Sequence, residues 1–214
     1  MNLIKSIFEL LVPSMCPICE RETSNGICCE KCFIELNKDF NDFDRIKSLG
    51  VAKALAVFVY SDRVKKLIEV FKYDGFLRIG KFFVELLAFK IEKRKDLFKD
   101  DAIIVPIPTH NARIRERGFD HTEFLAKELS KITGIEYKKL LFRARYSKSQ
   151  TKSKDRWENV NNIFIALNIP NYKNRQIILL DDVITSGSTM INAIKVLQEL
   201  GYNDIICLSV AFKL

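Results

Sequence analysis

The chain has no apolar run that approaches the ~18 residues a membrane-spanning helix requires, and no internal repeat. The first absence excludes a helical membrane protein and the second a solenoid or a propeller. The opening MNLIKSIFELLVP is apolar but is broken by Lys5 and Glu9, and no small-residue cleavage site follows. It therefore reads as an amphipathic helix and not as a signal peptide. Histidine is scarce: His110 and His121 are the two in the chain, both in polar surroundings where such residues are mostly bystanders. Beyond residue 32 cysteine is nearly absent, with Cys207 alone in a late apolar run. Positive charge, by contrast, is in excess. Thirty-five Lys and Arg face 27 Asp and Glu, for a net charge of +8 and a pI near 9.1. That balance favours an anionic partner, whether nucleotide, nucleic acid or anionic lipid surface, without choosing among them. At 214 residues and 48% hydrophobic content, the chain suits one domain of moderate size plus an appendage. The expected location is the cytoplasm. The amphipathic start packs on its own domain or sits peripherally at the inner face of the cell membrane.

Five of the six cysteines fall between Cys16 and Cys32. In a cytoplasmic chain such a cluster points to metal and not to disulfides. Cys16-Pro-Ile-Cys19 and Cys29-Glu-Lys-Cys32 give two C-x2-C pairs with nine residues between them, the arrangement of a small zinc knuckle or ribbon. Four thiolates make a closed structural site whose metal would fold a segment with little core of its own. Cys28 is an alternative to Cys29; the spacing that mirrors the first pair favours Cys16, Cys19, Cys29 and Cys32. Cys207 reads as a core residue.

Residues 1–45 thus form a unit of their own, and 46–214 a second, larger domain. In the latter, KALAVFVY is strand-like, and Ser61 is placed to cap a helix whose face is Val64, Leu67, Ile68 and Phe71. Ile79, Phe82, Phe83, Leu86 and Leu87 repeat the helical spacing. AIIVPIP is a buried strand, and DHTEFLAKELSKITG a helix closed by Gly134. IEYKKLLF is a further strand candidate, followed by a long polar stretch over 143–162. QIILLDD is a strand, 189–200 a helix, and DIICLSVAF a last strand. Alternating helices and continuously apolar strands predict an α/β fold with a parallel sheet covered on both faces.

The stretch IILLDDVITSGST, residues 177–189, carries the most chemistry. Ligands of open α/β sheets sit beyond the carboxyl ends of the strands. A strand ending at Leu180 would put Asp181 and Asp182 at that edge, with VITSGST leading into a helix N-terminus, where free N–H groups and the dipole favour phosphate. Gly187 allows close backbone approach, and Thr185, Ser186, Ser188 and Thr189 offer hydroxyl donors. The aspartates repel phosphate but suit vicinal hydroxyls, so a sugar phosphate satisfies both halves. The glycine–lysine spacing of a Walker A loop is absent. Upstream, Arg113, Arg115 and Arg117 cluster before Gly118, and guanidinium groups suit bidentate phosphate contacts. Arg115, Arg117 and the Gly118 backbone are the candidates for a second anion site; arginines in a loop are otherwise merely solvated.

IILLDDVITSGST closely resembles the 5-phosphoribosyl-1-pyrophosphate (PRPP) signature of type I phosphoribosyltransferases. The resemblance implies that Asp181 and Asp182 hold the ribose hydroxyls and are the catalytic pair, that Thr185 to Thr189 hold the 5′-phosphate, and that RGF at Arg117–Phe119 belongs to the pyrophosphate loop, with magnesium accompanying PRPP. Together with PSMCPICE, VKKLIEVFKYDG and VPIPTHNARIRERGFDHTEFLAKELS, the chain resembles the ComF family of competence proteins over nearly its whole length. SQTKSKDRWENVNNIF is similar to a further family segment, with Ser153 where an aliphatic residue is usual. The family implies a type I phosphoribosyltransferase-like domain, a role in natural transformation, and handling of single-stranded DNA alongside other DNA-uptake proteins. An active phosphoribosyltransferase on an unidentified acceptor is the alternative.

The stretch RARYSKSQTKSKDRW fits that context. Arg143, Arg145, Lys148, Lys152, Lys154 and Arg156 are set against one acidic residue, with Tyr146 and Trp157 interleaved. Cations that track a backbone and aromatics that stack on bases suit sequence-tolerant single-strand binding. A lid over the ligand and a solvated basic loop are the other readings.

Overall fold

The computed structural model describes residues 14–23, 27–41, 46–50, 52–73, 76–143 and 163–213. The amphipathic start, and all of the 143–157 cluster except Arg143, lie outside the described residues.

In chain order the elements are β1 (Ser14–Met15), β2 (Glu22–Thr23), α1 (Glu30–Asn37), β3 (Lys47–Leu49), β4 (Ala52–Val59), α2 (Asp62–Tyr73), α3 (Leu77–Lys93) and β5 (Ile103–Pro106). They continue with α4 (Asn111–Arg117), α5 (His121–Thr133), β6 (Glu136–Tyr137), β7 (Leu141–Arg143), β8 (Phe164–Ala166), β9 (Ile177–Ile184), α6 (Ser188–Glu199) and β10 (Ile205–Phe212). Six strands make the main sheet in the order β3-β4-β10-β9-β5-β6. All its pairings are parallel except β3–β4, an antiparallel edge. The mainly parallel α/β sheet flanked by helices is thus as the apolar strand runs imply.

The strand pleat sorts the core into two halves. Ile178 and Leu180 of β9 pack with Val64, Leu67 and Phe71 of α2, Phe83 and Leu87 of α3, and Leu125 and Leu129 of α5. Ile177 and Leu179 pack on the other side with Met190, Ala193 and Leu197 of α6. Ser61 caps α2 by accepting from the Val64 N–H at 3.3 Å. Asp120 caps α5 by accepting from Thr122 and Glu123, and Gly134 closes it.

The chain leaves β5 through α4 and α5 on one face to reach β6, and leaves β9 through α6 on the opposite face to reach β10. The connections diverge between β5 and β9, which is where a doubly wound sheet opens a ligand crevice. Here the structure corrects one expectation. β9 does not stop at Leu180; it runs to Ile184 and stays paired with β10 up to Phe212. On its other side β5 pairs only as far as Pro106 opposite Leu180, followed by the Ile107 N–H to the Leu180 carbonyl at 2.8 Å. Pro108 has no N–H to extend that ladder. Asp181 and Asp182 therefore lie within a strand but past the point where its β5 neighbour ends.

The reading of IEYKKLLF, residues 135–142, as one strand also changes. β6 joins the main sheet, whereas β7 pairs antiparallel with β8 in a separate ribbon. That ribbon brings Arg143 opposite Phe164, and the Arg143 Nε donates to the Pro108 carbonyl at 3.0 Å.

Candidate functional site

One wall of the crevice is β9, its loop and α6. Gly187 caps α6 at φ 78°, a left-handed conformation that side-chain-bearing residues rarely adopt. It is buried against Leu49 of β3, while Thr185, Ser186 and Ser188 are exposed. Ser186 and Ser188 share a hydroxyl contact of 2.8 Å, and Asn192 donates to the Ser188 carbonyl at 2.8 Å. The first turn of a twelve-residue helix thus opens to solvent with hydroxyls and free N–H groups.

The other wall is the exit of β5. The arginine stretch expected as a loop is the short helix α4, capped when the His110 ring accepts from the Ala112 N–H. Gly118 ends α4 at φ 80° and turns the chain into α5, so Arg117 folds back over His121. Thr109 donates to Asp120 Oδ1 at 2.9 Å, which ties the β5 exit to the α5 cap. Arg115 and Arg113 are exposed; Arg113 donates to the Tyr73 hydroxyl at 2.9 Å. Arg117 also donates to Tyr73 Oη, at 3.0 Å, and its guanidinium lies 4.6 Å from that ring's centre.

Between the walls sit the two carboxylates. Asp182 is buried and faces α2 and α5, where the Lys72 ammonium contacts its Oδ2 and His121 Nε2 lies 3.6 Å from the same atom. Burial alone would raise the Asp182 pKa. The His121 contact and the Lys72 charge outweigh it and hold the carboxyl well below the usual range. Asp181, one residue back, accepts from the Asp182 N–H at 2.8 Å. Burial, and then the charge of Asp182, push its carboxyl well above the usual range. The pair therefore behaves as one firm negative charge beside one carboxyl that resists ionisation. Lys72 carries no sequence signal of this role, and His121, expected to be a bystander in a polar stretch, is instead buried beside Asp182. Their helical phase marks α2 and α5, but nothing local marks a partner on β9.

The cysteine segment has its own geometry. Ligand atoms of Cys16, Cys19, Cys29 and Cys32 all lie within 4.8 Å of one another, and Cys28 stands outside that group. Burial raises the Cys16 thiol, but backbone N–H groups of Cys29, Cys19 and Ile18 outweigh it and bring its pKa to about 6. Burial, followed by the charge of the neighbouring thiols, pushes Cys28 up to about 11. Four converging sulfurs, one already receiving backbone N–H groups, could hold a metal ion such as zinc. His121, Asp181 and Asp182 also bring ligand atoms within 4.8 Å. There the Lys72 ammonium already occupies Asp182 Oδ2, so a cation would have to displace it.

A carboxylate pair and a helix N-terminus facing an arginine-bearing turn across a parallel sheet define the phosphoribosyltransferase class of domain. The family described as Phosphoribosyl transferase domain matches residues 114–214. The chain is 30% identical over 159 residues to Competence protein F of Haemophilus influenzae, covering 72% of this chain and 69% of that protein. It is 28% identical to Competence protein ComFC of Streptococcus pneumoniae, covering 94% and 81% respectively. An adenine phosphoribosyltransferase structure from Thermoanaerobacter pseudethanolicus aligns with 84% of this chain and 99% of its own at 15% identity, with a TM-score of 0.40. The chain belongs to the ComF family of competence proteins. No described helix is long and apolar enough to cross a membrane.

Proposed function

We propose that the crevice binds a ribosyl phosphate of the PRPP type, and that the protein serves natural transformation through this site and a basic surface for single-stranded DNA. The observation that carries the reading is the Asp181–Asp182 pair lodged where β5 has ended, with the N-terminus of α6 just behind it. The ionised Asp182 suits a ribose hydroxyl, and the exposed Thr185, Ser186 and Ser188 with the α6 N–H groups suit a 5′-phosphate. Arg115 and Arg117, with the Gly118 backbone, suit a pyrophosphate. Magnesium, arriving on the pyrophosphate oxygens, would offset their charge.

Titration of PRPP with magnesium into the purified chain tests the reading, with an Asp181→Asn/Asp182→Asn variant as control. Saturable binding in the wild type that falls at least about tenfold in the variant is expected, since the loss removes a charge-assisted hydrogen bond to the sugar. Equal binding by both proteins would sink the assignment. The alternative, transfer of the ribosyl group to an acceptor, predicts pyrophosphate release that requires both PRPP and that acceptor, through charge stabilisation at the ribosyl centre.

The DNA half draws on the relatives' names as competence proteins and on the cations between Arg143 and Arg156. Arg143 itself is engaged with Pro108 and lies 5.2 Å from the Phe164 ring centre. Arg145, Lys148, Lys152, Lys154, Arg156 and Trp157 carry the remaining proposed DNA contact. Replacing those four lysines and arginines nearest the middle (Lys148, Lys152, Lys154, Arg156) with Gln should reduce the slope of log affinity against log salt by ~3 for single-stranded DNA. An unchanged slope would remove this segment from the DNA surface.

A further inference from the structure

The contacts of His121 indicate which ring nitrogen accepts and which donates. Its Nδ1 lies 3.0 Å from Arg117 Nη1. A guanidinium has donors only and stays protonated, so Nδ1 must accept. The single ring proton is then on Nε2, the atom that faces Asp182 Oδ2 at 3.6 Å. Thr109 Oγ1 gives its proton to Asp120 and could only accept from the ring, but at 3.4 Å from Nδ1 it lies farther off than the Arg117 donor at 3.0 Å, which sets Nδ1 as the acceptor. A doubly protonated ring would set an N–H against the guanidinium. The ring is 5% exposed and edge-on to Phe71, which leaves it little room to turn.

Both ends of this chain of contacts are held by the last turn of α2. Lys72 contacts Asp182, and Tyr73 stacks on Arg117 and accepts from it. Arg117 Nε is buried without a hydrogen-bond partner, so its guanidinium has not spent all its donors in this arrangement. On the ribosyl-phosphate reading Arg117 serves the pyrophosphate and Asp182 the ribose, and the imidazole lies between them, 3.0 Å from Arg117 and 3.6 Å from Asp182.

Building on the ribosyl-phosphate reading above, we propose that His121 is a positioning residue that couples the two halves of the site. As a neutral, Nε2-protonated ring it aims Asp182 at the ribose and receives Arg117 from the pyrophosphate side. An anion that fixes the Arg117 guanidinium also fixes the ring that orders Asp182, so the ordering cost is met once for both ligands. Each ligand then tightens the other by the same factor.

The test uses the full chain and two half-ligands, ribose 5-phosphate and pyrophosphate with magnesium, each titrated by calorimetry alone and against a saturating amount of the other. In the wild type each should tighten the other at least about fivefold. His121→Ala should weaken both and bring the coupling factor to about one. His121→Gln supplies an amide donor towards Asp182 without the Nδ1 acceptor; it should recover ribose 5-phosphate affinity but not the coupling, and it carries the same comparison should the alanine variant fail to fold. Nitrogen NMR of the ring at neutral pH should show Nε2 protonated and Nδ1 bare. Independent binding in the wild type, coupling that survives in both variants, or a proton on Nδ1 would overturn the inference and leave the ribosyl-phosphate reading standing. A wild-type protein that binds neither half-ligand would overturn both.

Discussion

At Gly187 the backbone is left-handed, and a Cβ placed there would lie 2.7 Å from Leu49 Cδ2. Two separate costs therefore fall on any side chain at this position: the unfavourable φ and the collision with the β3 edge. Gly187→Ala should destabilise the chain by about 2–3 kcal/mol, measured by urea unfolding. Adding Leu49→Ala should recover the steric part and leave the backbone part, so the two changes combine less than additively. Strict additivity would mean that Leu49 does not restrict the loop. This glycine was legible in the sequence, because a Thr/Ser/Gly run behind two aspartates has a local chemical meaning. His121 and Lys72 were not. Each sits in an ordinary helical pattern, and each acquires its role only when a distant strand delivers Asp182 to it. A lone histidine in a polar stretch gives no sign of burial beside a carboxylate.

Among the elements, α2 and α3 approach closely because α3 carries Gly80. A Cβ at that position would lie 2.4 Å from Phe71 Cε2 and 2.7 Å from Phe124 Cε1. Gly80→Ala should cost about 1–3 kcal/mol by overpacking, despite alanine's gain of about 1 kcal/mol in helix propensity; a variant more stable than the wild type in thermal melting would contradict that contact. The apolar spacing of these helices was readable, but the tightness of their crossing was not, since a glycine inside a helical pattern does not say which ring it admits. A second element-scale effect belongs to Glu123, in the first turn of α5. Burial raises its carboxyl, but Lys127 at 2.7 Å and Lys139 at 2.6 Å outweigh that and bring its pKa to about 2. A depressed folded-state pKa contributes stability that is present above the unfolded value of about 4.3 and is lost as pH falls towards 2. With both lysines partly exposed, the worth is discounted to about 1 kcal/mol. Glu123→Gln should therefore be about that much less stable than the wild type at pH 6 and equal to it near pH 2. A gap that stays constant from pH 6 to 2 would show that the ion pairs are not its source.

On the scale of the whole molecule, the cysteine segment is joined to the sheet domain by more than the chain. Cys16, Ile18, Cys32 and Leu36 belong to one continuous core with Leu55, Val57 and the inner face of α2. Lys66 of α2 donates to the Ile18 carbonyl, inside the first C-x2-C pair, at 2.8 Å, and Arg63 pairs with Asp39 at 2.9 Å. The two C-x2-C pairs were evident from their spacing, whereas this shared core was not, because the apolar residues between and after the cysteines are too few to show a periodicity. The sharing has a consequence for metal removal. An independently folded knuckle would melt by itself on chelation and leave the sheet untouched. A knuckle whose cysteines line the α2 side of the core cannot open without exposing Leu55 and Val57, so its loss propagates. The purified chain is expected to contain one zinc, and a Cys16→Ser variant to lose it. Stripping the metal should lower the melting temperature of the single main transition by at least about 5 °C, followed by the far-ultraviolet signal of the sheet and helices together. A cobalt-loaded sample should show the tetrahedral four-thiolate spectrum. If calorimetry instead resolved a small metal-dependent transition and left the main one in place, the cysteine segment would be an appendage, and the contacts of Lys66 and Arg63 would carry no mechanical weight.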